Sequence, residues 1–289
     1  MIGRALALVL LLGGCDMLLG LDQLHPGRSD APGAGDGDSD DVGSPPGSCP
    51  IGSAPSFSVA GAVGRPCRDL SVAGTSAAAT CYPSGSPVNE SGPLAAPWTA
   101  FVLPPMRSQT LVETPRLSPE GTEIFAREVD LTDGNETIDW YSNTSGTWLL
   151  AGTIPLGQVM SSEYVSAPTR ADRQRYILLS ETATDLLELA DLGDGRWMAS
   201  FAHSAAELGV GQIVQPNLSA DGLRLVFVGD GGNIYYATRT AVDTAFGAAT
   251  LLYAVPGGAV TPYLADDCSA LYYAVAASPQ YQLYRAEPN

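Results

Sequence analysis

One short proline-containing theme, repeated four times, constrains the fold of this chain more than any other feature. Its prolines are Pro115, Pro168, Pro216 and Pro262, which lie 46 to 53 residues apart. The theme is most complete at 115–121 and 216–222, which read Pro-Arg-Leu-Ser-Pro-Glu-Gly and Pro-Asn-Leu-Ser-Ala-Asp-Gly. A repeat of this kind indicates that each unit buries its apolar face against its neighbours. The sequence therefore predicts one recurring structural unit.

Each copy of the theme is followed by two apolar segments, and a large aromatic residue recurs at nearly the same period. The first segments are 124–125, 177–178, 225–227 and 271–273, and the second are 138–141, 187–189, 234–236 and 283–285. The aromatic markers are Trp98, Trp148, Trp197 and Phe246, at steps of 50, 49 and 49 residues. Short runs of these residue types favour buried strands, and the period is that of a four-stranded blade. We therefore expect an all-β propeller built from four-stranded antiparallel blades.

A Glu-Gly or Asp-Gly pair stands between the proline and the first apolar segment of the best copies. Such a pair supplies the positive φ that a tight hairpin needs. Helices are disfavoured because the prolines recur, Gly and Ser are frequent, and no long stretch has apolar residues at 3.6-residue spacing.

The units at 115–125 and 216–227 resemble the WD40-like repeat with a Pro-Asp-Gly signature (PD40), found in TolB-type propellers. The resemblance spans roughly Trp98 to Ala286. The second copy departs from it with Arg173-Gln174 in place of Asp-Gly, and the fourth has Cys268 in place of the glycine. The resemblance implies a β-propeller, and in TolB-like relatives the propeller docks other envelope proteins.

The sequence allows either four blades or five. The five-blade alternative consists of the four clear repeats and a degenerate fifth. In the first, the aromatic strand at 98–103 completes the C-terminal repeat, which closes a ring of four. In the second, residues 54–61 echo the opening of a repeat 60 residues before Pro115. Residues 48–96 are then a degenerate part of a propeller that spans 48–289, with the clear repeats at 97–289.

The amino terminus predicts export. Arg4, an apolar run and Gly13-Gly14 have the pattern of a secretory signal peptide at 1–14, and the apolar run is too short to span a bilayer. Residues 12–15 resemble the lipobox of bacterial lipoproteins, which implies that Cys15 carries the lipid anchor. The expected location is the bacterial cell envelope, either periplasmic or at the outer surface.

Residues 15–47 are predicted to be a lipid-anchored, disordered acidic tether. Residues 26–47 of this segment are rich in Gly, Pro, Ser and Asp, and they have too little apolar surface to offset the entropy of ordering. Asp36 to Asp41 lack the ligand spacing of an EF-hand, so the tether interpretation is favoured over a calcium loop. The net charge of −17 disfavours nucleic acid and anionic lipid surfaces as partners, which leaves the lipid anchor as the expected membrane contact.

Four cysteines remain after lipidation: Cys49, Cys67, Cys81 and Cys268. An even number in an exported protein favours two disulfides, with three connectivities open. Because Cys268 lies in the last repeat and the others precede the first clear one, at least one bridge should join the two ends of the propeller. Cys81 or Cys67 is the preferred partner of Cys268. Neither Cys-x-x-Cys nor a nearby histidine supports a metal site, and no cofactor is predicted.

Catalytic signatures are sparse. The chain has only two histidines, His25 in the tether and His203, which is expected in a surface loop. It contains no Gly-x-Ser-x-Gly elbow, His-Glu-x-x-His helix or phosphate-binding loop. A glycosidase pair could be drawn from the carboxylates Asp130, Asp139, Glu163 and Asp172, although their spacing is equally typical of a solvated surface.

Two Asp/Gly/Asn loops, at 133–135 and 230–233, are predicted to be turns with positive φ in preference to calcium sites. The tyrosines of the strands, Tyr235, Tyr236, Tyr272, Tyr273 and Tyr284, are expected to pack between blades.

These observations predict an envelope lipoprotein whose propeller binds or scaffolds a protein or glycan partner. The alternative is a propeller-fold glycoside hydrolase that uses paired carboxylates at the channel mouth, and a third reading is a structural surface protein. A resemblance at the level of fold does not distinguish these functions.

Overall fold

The structure is a computed structural model that describes residues 49, 51–84, 86–94, 98–100, 103, 110–118, 120–155, 169–171, 174–192, 197–278 and 280–289. All of them belong to one compact unit, Ser44–Asn289. The predicted signal peptide, Cys15, the tether with His25, and the carboxylates Glu163 and Asp172 lie outside the described residues.

Five four-stranded antiparallel sheets form the fold. Blade 1 contains β2 (Cys67–Ala73), β3 (Ser76–Cys81), β4 (Val88–Pro93) and β5 (Thr99–Ala100). Blade 2 contains β6 (Thr110–Leu117), β7 (Glu123–Asp130), β8 (Glu136–Thr144) and β9 (Thr147–Pro155). Blade 3 contains β10 (Thr169–Ala171), β11 (Gln174–Thr182), β12 (Asp185–Asp191) and β13 (Trp197–Ser204). A one-turn helix α1 (Ala205–Leu208) follows.

Blade 4 contains β14 (Val214–Leu218), β15 (Arg224–Val228), β16 (Ile234–Thr238) and β17 (Thr250–Tyr253), and a 3-10 turn (Asp230–Gly232) joins β15 to β16. Blade 5 contains β18 (Val260–Leu264), β19 (Leu271–Ala277), β20 (Gln280–Ala286) and, as its outermost strand, β1 (Gly61–Ala62). The protein is therefore a β-propeller of five blades, and around the hub the first strands of blades 1 and 2, of blades 4 and 5, and of blades 5 and 1 contact one another.

The ring is closed differently from the four-blade prediction. That reading was wrong in assigning the Trp98 segment to the C-terminal repeat, because β5 pairs with β4 inside blade 1. Blade 5 is completed instead by Gly61 and Ala62, which pair with Arg285 and Tyr284 of β20. Residues 54–60 do not open a repeat either, since Phe57 forms an isolated bridge with Pro288.

Blade 1 forms from a segment whose composition concealed its strands. Ala77, Ala78 and Ala79 of β3 are fully buried, and small side chains at these positions allow neighbouring sheets to pack closely. Cys67 and Cys81 are register partners on β2 and β3, and their disulfide joins the two strands. The covalent link compensates for the low β-propensity of an Ala, Ser and Gly sequence.

The hub contains a repeated backbone irregularity, which lies just before the proline in blades 2, 4 and 5 and just before Leu70 in blade 1. Asp69, Thr114, Gln215 and Thr261 have positive φ, and the register of the first two strands shifts at each of these positions. Their amides bond to neighbouring blades: Asp69 N donates to Thr261 Oγ1 at 3.0 Å, and Thr261 N donates to Gln215 Oε1 at 2.6 Å. These bulges turn the first strand so that its backbone amide can donate a hydrogen bond to a side-chain oxygen of the adjacent blade.

We call the turn between the first and second strands of a blade its first turn, and in blades 2 and 4 this turn has the expected glycine at positive φ. Gly121 and Gly222 have φ values of 69° and 73°, and Cys268 adopts 59° at the corresponding place in blade 5. A positive φ disfavours residues with a Cβ, so the cysteine at 268 has another reason to be there. That reason is the disulfide described below.

We predict that Gly232→Ala destabilises the propeller by about 2–4 kcal/mol, combining a positive-φ cost with a steric one. Gly232 has φ 74°, and a Cβ would lie 2.7 Å from the backbone Cα of Gly258, in the segment that leads into blade 5. Its carbonyl also accepts a 2.7 Å hydrogen bond from Ala259 N. Urea unfolding of the purified variant measures the loss.

The matched control for this prediction is Gly134→Ala. Gly134 has φ 72° and no atom within 4 Å of an added Cβ, so only the backbone cost of about 1–2 kcal/mol is expected. Equal losses in the two variants would contradict the steric contact between blades 4 and 5.

Candidate functional site

A cleft of about 260 Å³ separates the first turns of blades 5 and 1. We call it the seam cleft because it lies where the last blade in the chain meets the first. The corresponding space between blades 4 and 5 is about 10 Å³, which is room for one water. There, Ala220 N donates to Asp266 Oδ1 at 3.0 Å. The first turns thus contact each other between blades 4 and 5 and separate between blades 5 and 1.

The floor of the seam cleft is apolar. It contains Ala73 and Leu94 from blade 1 and Ala270, Tyr263 and Tyr272 from blade 5. Both tyrosines are buried. The Tyr263 hydroxyl donates to the Val72 carbonyl at 2.8 Å, so its polar end is satisfied and its ring is left as apolar surface.

The rim of the seam cleft is acidic. Asp266, Asp267 and Ser269 line it, and each of these side chains is exposed. A hydrogen bond from the Ser269 side chain lowers the pKa of Asp267, and Ser269 N, which donates to Asp267 Oδ1 at 2.9 Å, adds to this effect. The pKa of Asp266 is raised because the surrounding protein desolvates its carboxyl and because Asp221 and Asp267 add negative charge nearby. The rim therefore offers carboxylate oxygens as acceptors.

A disulfide between Cys49 and Cys268 holds the turn that carries this rim. The preference for Cys67 or Cys81 as the partner of Cys268 was wrong, because those two cysteines face each other on adjacent strands and bond together. The prediction that a bridge joins the two ends of the propeller agrees with the 219-residue separation of Cys49 and Cys268.

Arg224 of blade 4 holds the backbone of Cys49 in place. Its Nε donates to the Cys49 carbonyl at 2.9 Å, Nη2 donates to the same oxygen, and Nη1 pairs with Asp221. Cys49 N in turn donates to the Asp266 carbonyl at 3.0 Å. The first turn of blade 5 is therefore held by a covalent bond and by hydrogen bonds from blade 4.

One group of metal-type ligands occurs among the described residues, namely Cys67, Cys81 and Glu90. The two sulfurs are bonded to each other, so neither is available as a thiolate ligand. The two cysteines of this group form a disulfide that links β2 to β3.

Blade 2 brings together a pair of carboxyl groups that the sequence indicated only in part. Asp139 was a candidate, and the structure places it beside Glu128, with exposures of 0% and 2%. Thr153 Oγ1 donates to Asp139 Oδ1 at 2.8 Å. Burial, followed by a hydrogen bond with Glu128, raises the pKa of Asp139 to about 7. The two carboxyl groups therefore share a proton at pH values well above the ordinary pKa of an aspartate.

Glu128 was missed by sequence reasoning, although a signal was present. It continues the alternation of Ile124 and Ala126 on the buried face of β7, where a charged residue requires a partner. Asp130, another candidate, lies at the end of β7 and is half-buried. The structure does not bring it into the Glu128–Asp139 pair.

The pair predicts a pH dependence of stability. The folded-state pKa of Asp139 is raised to about 7, so the folded state binds more protons than the unfolded state between about pH 4 and pH 7. Stability is therefore lost as the pH rises through that window, at no more than about 1.4 kcal/mol per pH unit. Asp139→Asn should remove this component, as measured by urea unfolding from pH 4.5 to 8.

Asp133→Asn is the control for the pH experiment, because Asp133 is exposed on the turn between β7 and β8. It should retain the pH dependence of the parent chain. Parallel stability curves for Asp139→Asn and Asp133→Asn would overturn the shared-proton assignment.

His203 is not in a surface loop as predicted. It lies in β13, is 3% exposed, and places Nε2 3.6 Å from Glu188 Oε2. Its ring packs on Phe246 with centroids 5.1 Å apart. His203 is therefore buried at the interface of blades 3 and 4, where its ring contributes to packing.

The two Asp/Gly/Asn loops are turns, as predicted. Gly134, Gly231 and Gly232 have positive φ. Asn135 N donates to Asp133 Oδ1 at 2.9 Å, and Asn233 N donates to the Asp230 carbonyl at 3.3 Å.

The predicted packing of the strand tyrosines is also confirmed. Tyr236 and Tyr273 are buried in an apolar cluster shared by blades 4 and 5, against which Tyr284 packs. Tyr272 is buried in a cluster shared by blades 5 and 1, and Tyr235 packs against one shared by blades 3 and 4.

No protein-family model and no curated protein matches this chain. Similar solved structures include a protein from Agrobacterium tumefaciens assigned as TolB, with 14% identity, 74% of this chain and 71% of that chain covered, and a TM-score of 0.48. A hypothetical protein from Leishmania major has 10% identity, coverage of 83% and 91%, and a TM-score of 0.48. XC5397 from Xanthomonas campestris, a gluconolactonase, has 10% identity, coverage of 74% and 69%, and a TM-score of 0.47.

The assignment of a five-bladed propeller rests on the sheets of the structure itself. Its two disulfides indicate an extracytoplasmic location. Among the described residues, no helix has the length and apolar character needed to cross a membrane.

Proposed function

We propose that this protein is a lipoprotein of the bacterial cell envelope, anchored through Cys15, whose propeller binds a protein or glycan partner through the seam cleft. The observation that carries the proposal is the cleft itself, which combines an apolar floor with an acidic rim on a turn held by the Cys49–Cys268 disulfide. Concave sites with apolar walls and a few fixed polar groups are typical of ligand binding.

Binding is favoured over glycoside hydrolysis by the environment of the carboxyl groups. A glycosidase needs two carboxyl groups that reach the sugar from solvent. The pair that the described residues bring together, Glu128 and Asp139, is buried in blade 2 with exposures of 2% and 0%. Asp266 and Asp267 are accessible, but they are consecutive residues on one turn and lie on one side of the cleft.

The partner is tested by placing a photoreactive phenylalanine analogue at Ser269, on the rim of the seam cleft, in cells that produce the full chain. Irradiation and mass spectrometry should recover an envelope protein or glycan. The matched control carries the analogue at Ala248, an exposed position of blade 4. Identical products from both positions, or none from Ser269, would contradict binding through the cleft and favour a structural surface protein.

The anchor has a separate test. Cys15→Ala should abolish labelling by a palmitate analogue and release the protein from the membrane fraction, because the Cys15 sulfur would form the thioether bond to the diacylglycerol anchor. Label retained on the variant would contradict the lipoprotein assignment while leaving the cleft proposal intact.

A further inference from the structure

We infer that the seam cleft receives a lysine or arginine side chain from a partner protein, with the aliphatic stem over the apolar floor and the cationic head at Asp266 and Asp267. This inference rests on the proposed binding function and names the chemistry of the partner.

The size of the cleft suits one side chain. Its volume of about 260 Å³ is below the roughly 300–1,000 Å³ of sites that enclose drug-sized ligands. The floor at Ala73, Leu94 and Ala270 is apolar, whereas the polar groups stand at the rim. Lysine and arginine have this same division, with an apolar stem and a charged end.

The polar groups of the cleft match a cation better than a sugar or an anion. A sugar hydroxyl needs both donors and acceptors, but the Tyr263 hydroxyl already donates to Val72. None of the described lining residues is basic, so an anion has no positive partner there. Two adjacent carboxylates provide several acceptor sites, which an ammonium or guanidinium group can use.

The cation must come from outside the described part of the chain. All fourteen basic residues are arginines, and the sequence contains no lysine. The charge of Arg224 acts on Asp266, but its guanidinium is engaged by the Cys49 carbonyl and by Asp221. Neither Asp266 nor Asp267 forms a salt bridge with another described residue. A net charge of −17 would also draw a basic segment toward the protein and accelerate the encounter.

The rim is arranged before any partner arrives. Ala265 N donates to the Ala270 carbonyl at 3.0 Å, Cys268 N donates to the Ala265 carbonyl at 2.8 Å, and the disulfide fixes Cys268 to Cys49. A turn held in this way loses little conformational freedom on binding.

The test titrates the full chain with three peptides of the form acetyl-Ala-Ala-X-Ala-Ala-amide, in which X is lysine, acetyl-lysine or glutamate. The lysine peptide should bind, and acetylation should abolish binding because it removes the charge. Asp266→Asn combined with Asp267→Asn should weaken binding about tenfold. Asparagine keeps the oxygens that accept from Ala220 N and Ser269 N, so the turn is expected to fold. Asp243→Asn, at an exposed position of blade 4, should bind like the parent chain.

A carbodiimide crosslink locates the contact. This reagent joins a carboxylate to an amine, and a chain without lysine has no side-chain amine to react with itself. Adducts of the lysine peptide should therefore map to Asp266 and Asp267. Adducts distributed over exposed carboxylates such as Asp133, equal binding of the acetylated peptide, or tighter binding of a neutral oligosaccharide would overturn the inference.

The two proposals fail differently. Capture of a partner at Ser269 without binding of the lysine peptide would reject the basic side chain and keep the binding function. Lysine-peptide binding without a partner captured in cells would support the chemistry of the cleft and reject the proposed cellular role.

Discussion

Removing the covalent link between Cys49 and Cys268 is expected to lower the free energy of unfolding by about 5 kcal/mol. The bridge joins residues 219 positions apart, so it restricts the unfolded chain over most of the propeller. The variant is Cys49→Ala combined with Cys268→Gly. Glycine suits position 268 because Cys268 has a φ of 59°, and Gly121 and Gly222 occupy the corresponding places in blades 2 and 4. Denaturant unfolding of the oxidised parent and the variant measures the loss.

The second disulfide supplies the internal control. Cys67 and Cys81 are only 14 residues apart and already pair across neighbouring strands. Loop-closure entropy then predicts a loss of about 3 kcal/mol for Cys67→Ala combined with Cys81→Ala. If the two double variants lost the same stability, or if the longer bridge mattered less, the role assigned to ring closure would be wrong.

Arg239→Met is expected to destabilise the propeller by about 3–5 kcal/mol, because it leaves a buried carboxylate without its main cationic partner. Arg239 Nη1 and Nη2 donate to Glu188 Oε2 and Oε1 at 2.8 and 3.2 Å, and Nε donates to the Gly222 carbonyl at 2.7 Å. Glu188 is 1% exposed and belongs to blade 3, whereas Arg239 follows the third strand of blade 4. The pair therefore joins two blades. Thermal and denaturant unfolding would measure the effect.

Two further variants separate charge from packing at this interface. Adding Glu188→Gln to Arg239→Met should recover most of the loss, because the second change removes the isolated charge. Arg285→Met is the exposed counterpart, since Arg285 pairs with Glu287 at the surface with 42% and 63% side-chain exposure, and it should cost at most about 1 kcal/mol. A cost below about 1 kcal/mol for Arg239→Met would show that this ion pair does not hold blades 3 and 4 together.

Much of the fold could be read from the spacing of a few residues. The prolines and apolar segments located the first three strands of blades 2, 4 and 5, because a strand buried on both faces leaves a short run of β-branched and aromatic residues. The aromatic marker was reliable where it packs between blades. Trp197, for example, contacts Phe125 and Trp140 of the preceding blade with centroids 6.1 and 6.3 Å apart.

Blade 1 was obscured because small residues do the packing. Ala77, Ala78 and Ala79 are as deeply buried as the aromatic residues of other blades, but alanine carries no strand signal. The position of Trp98 was therefore misassigned to the far end of the chain. Its actual neighbour is Arg65, whose guanidinium lies 4.2 Å from the centre of the indole ring.

The candidate site was even less accessible from the sequence. Asp266 and Asp267 were visible as part of the fourth repeat, where they fit a turn and need no other explanation. They became the rim of a cleft only because blade 5 meets blade 1 there, and Leu94 and Ala73 supply the opposite wall. Residues 94 and 266 are neighbours across the ring closure, a contact that no local pattern records.

The sequence by itself determined the repeating unit, its strands, its positive-φ turns and the even number of cysteines available for pairing, because these depend on local geometry and periodicity. Tertiary structure decided the count of five blades, the closing strand at Gly61–Ala62, the partner of Cys268 and the burial of Glu128 beside Asp139. Each of those depends on which surfaces meet when the ring closes. Closure joins residues more than two hundred positions apart, and the free energy that selects it comes from packing and covalent linkage between blades rather than from the preferences of any single segment.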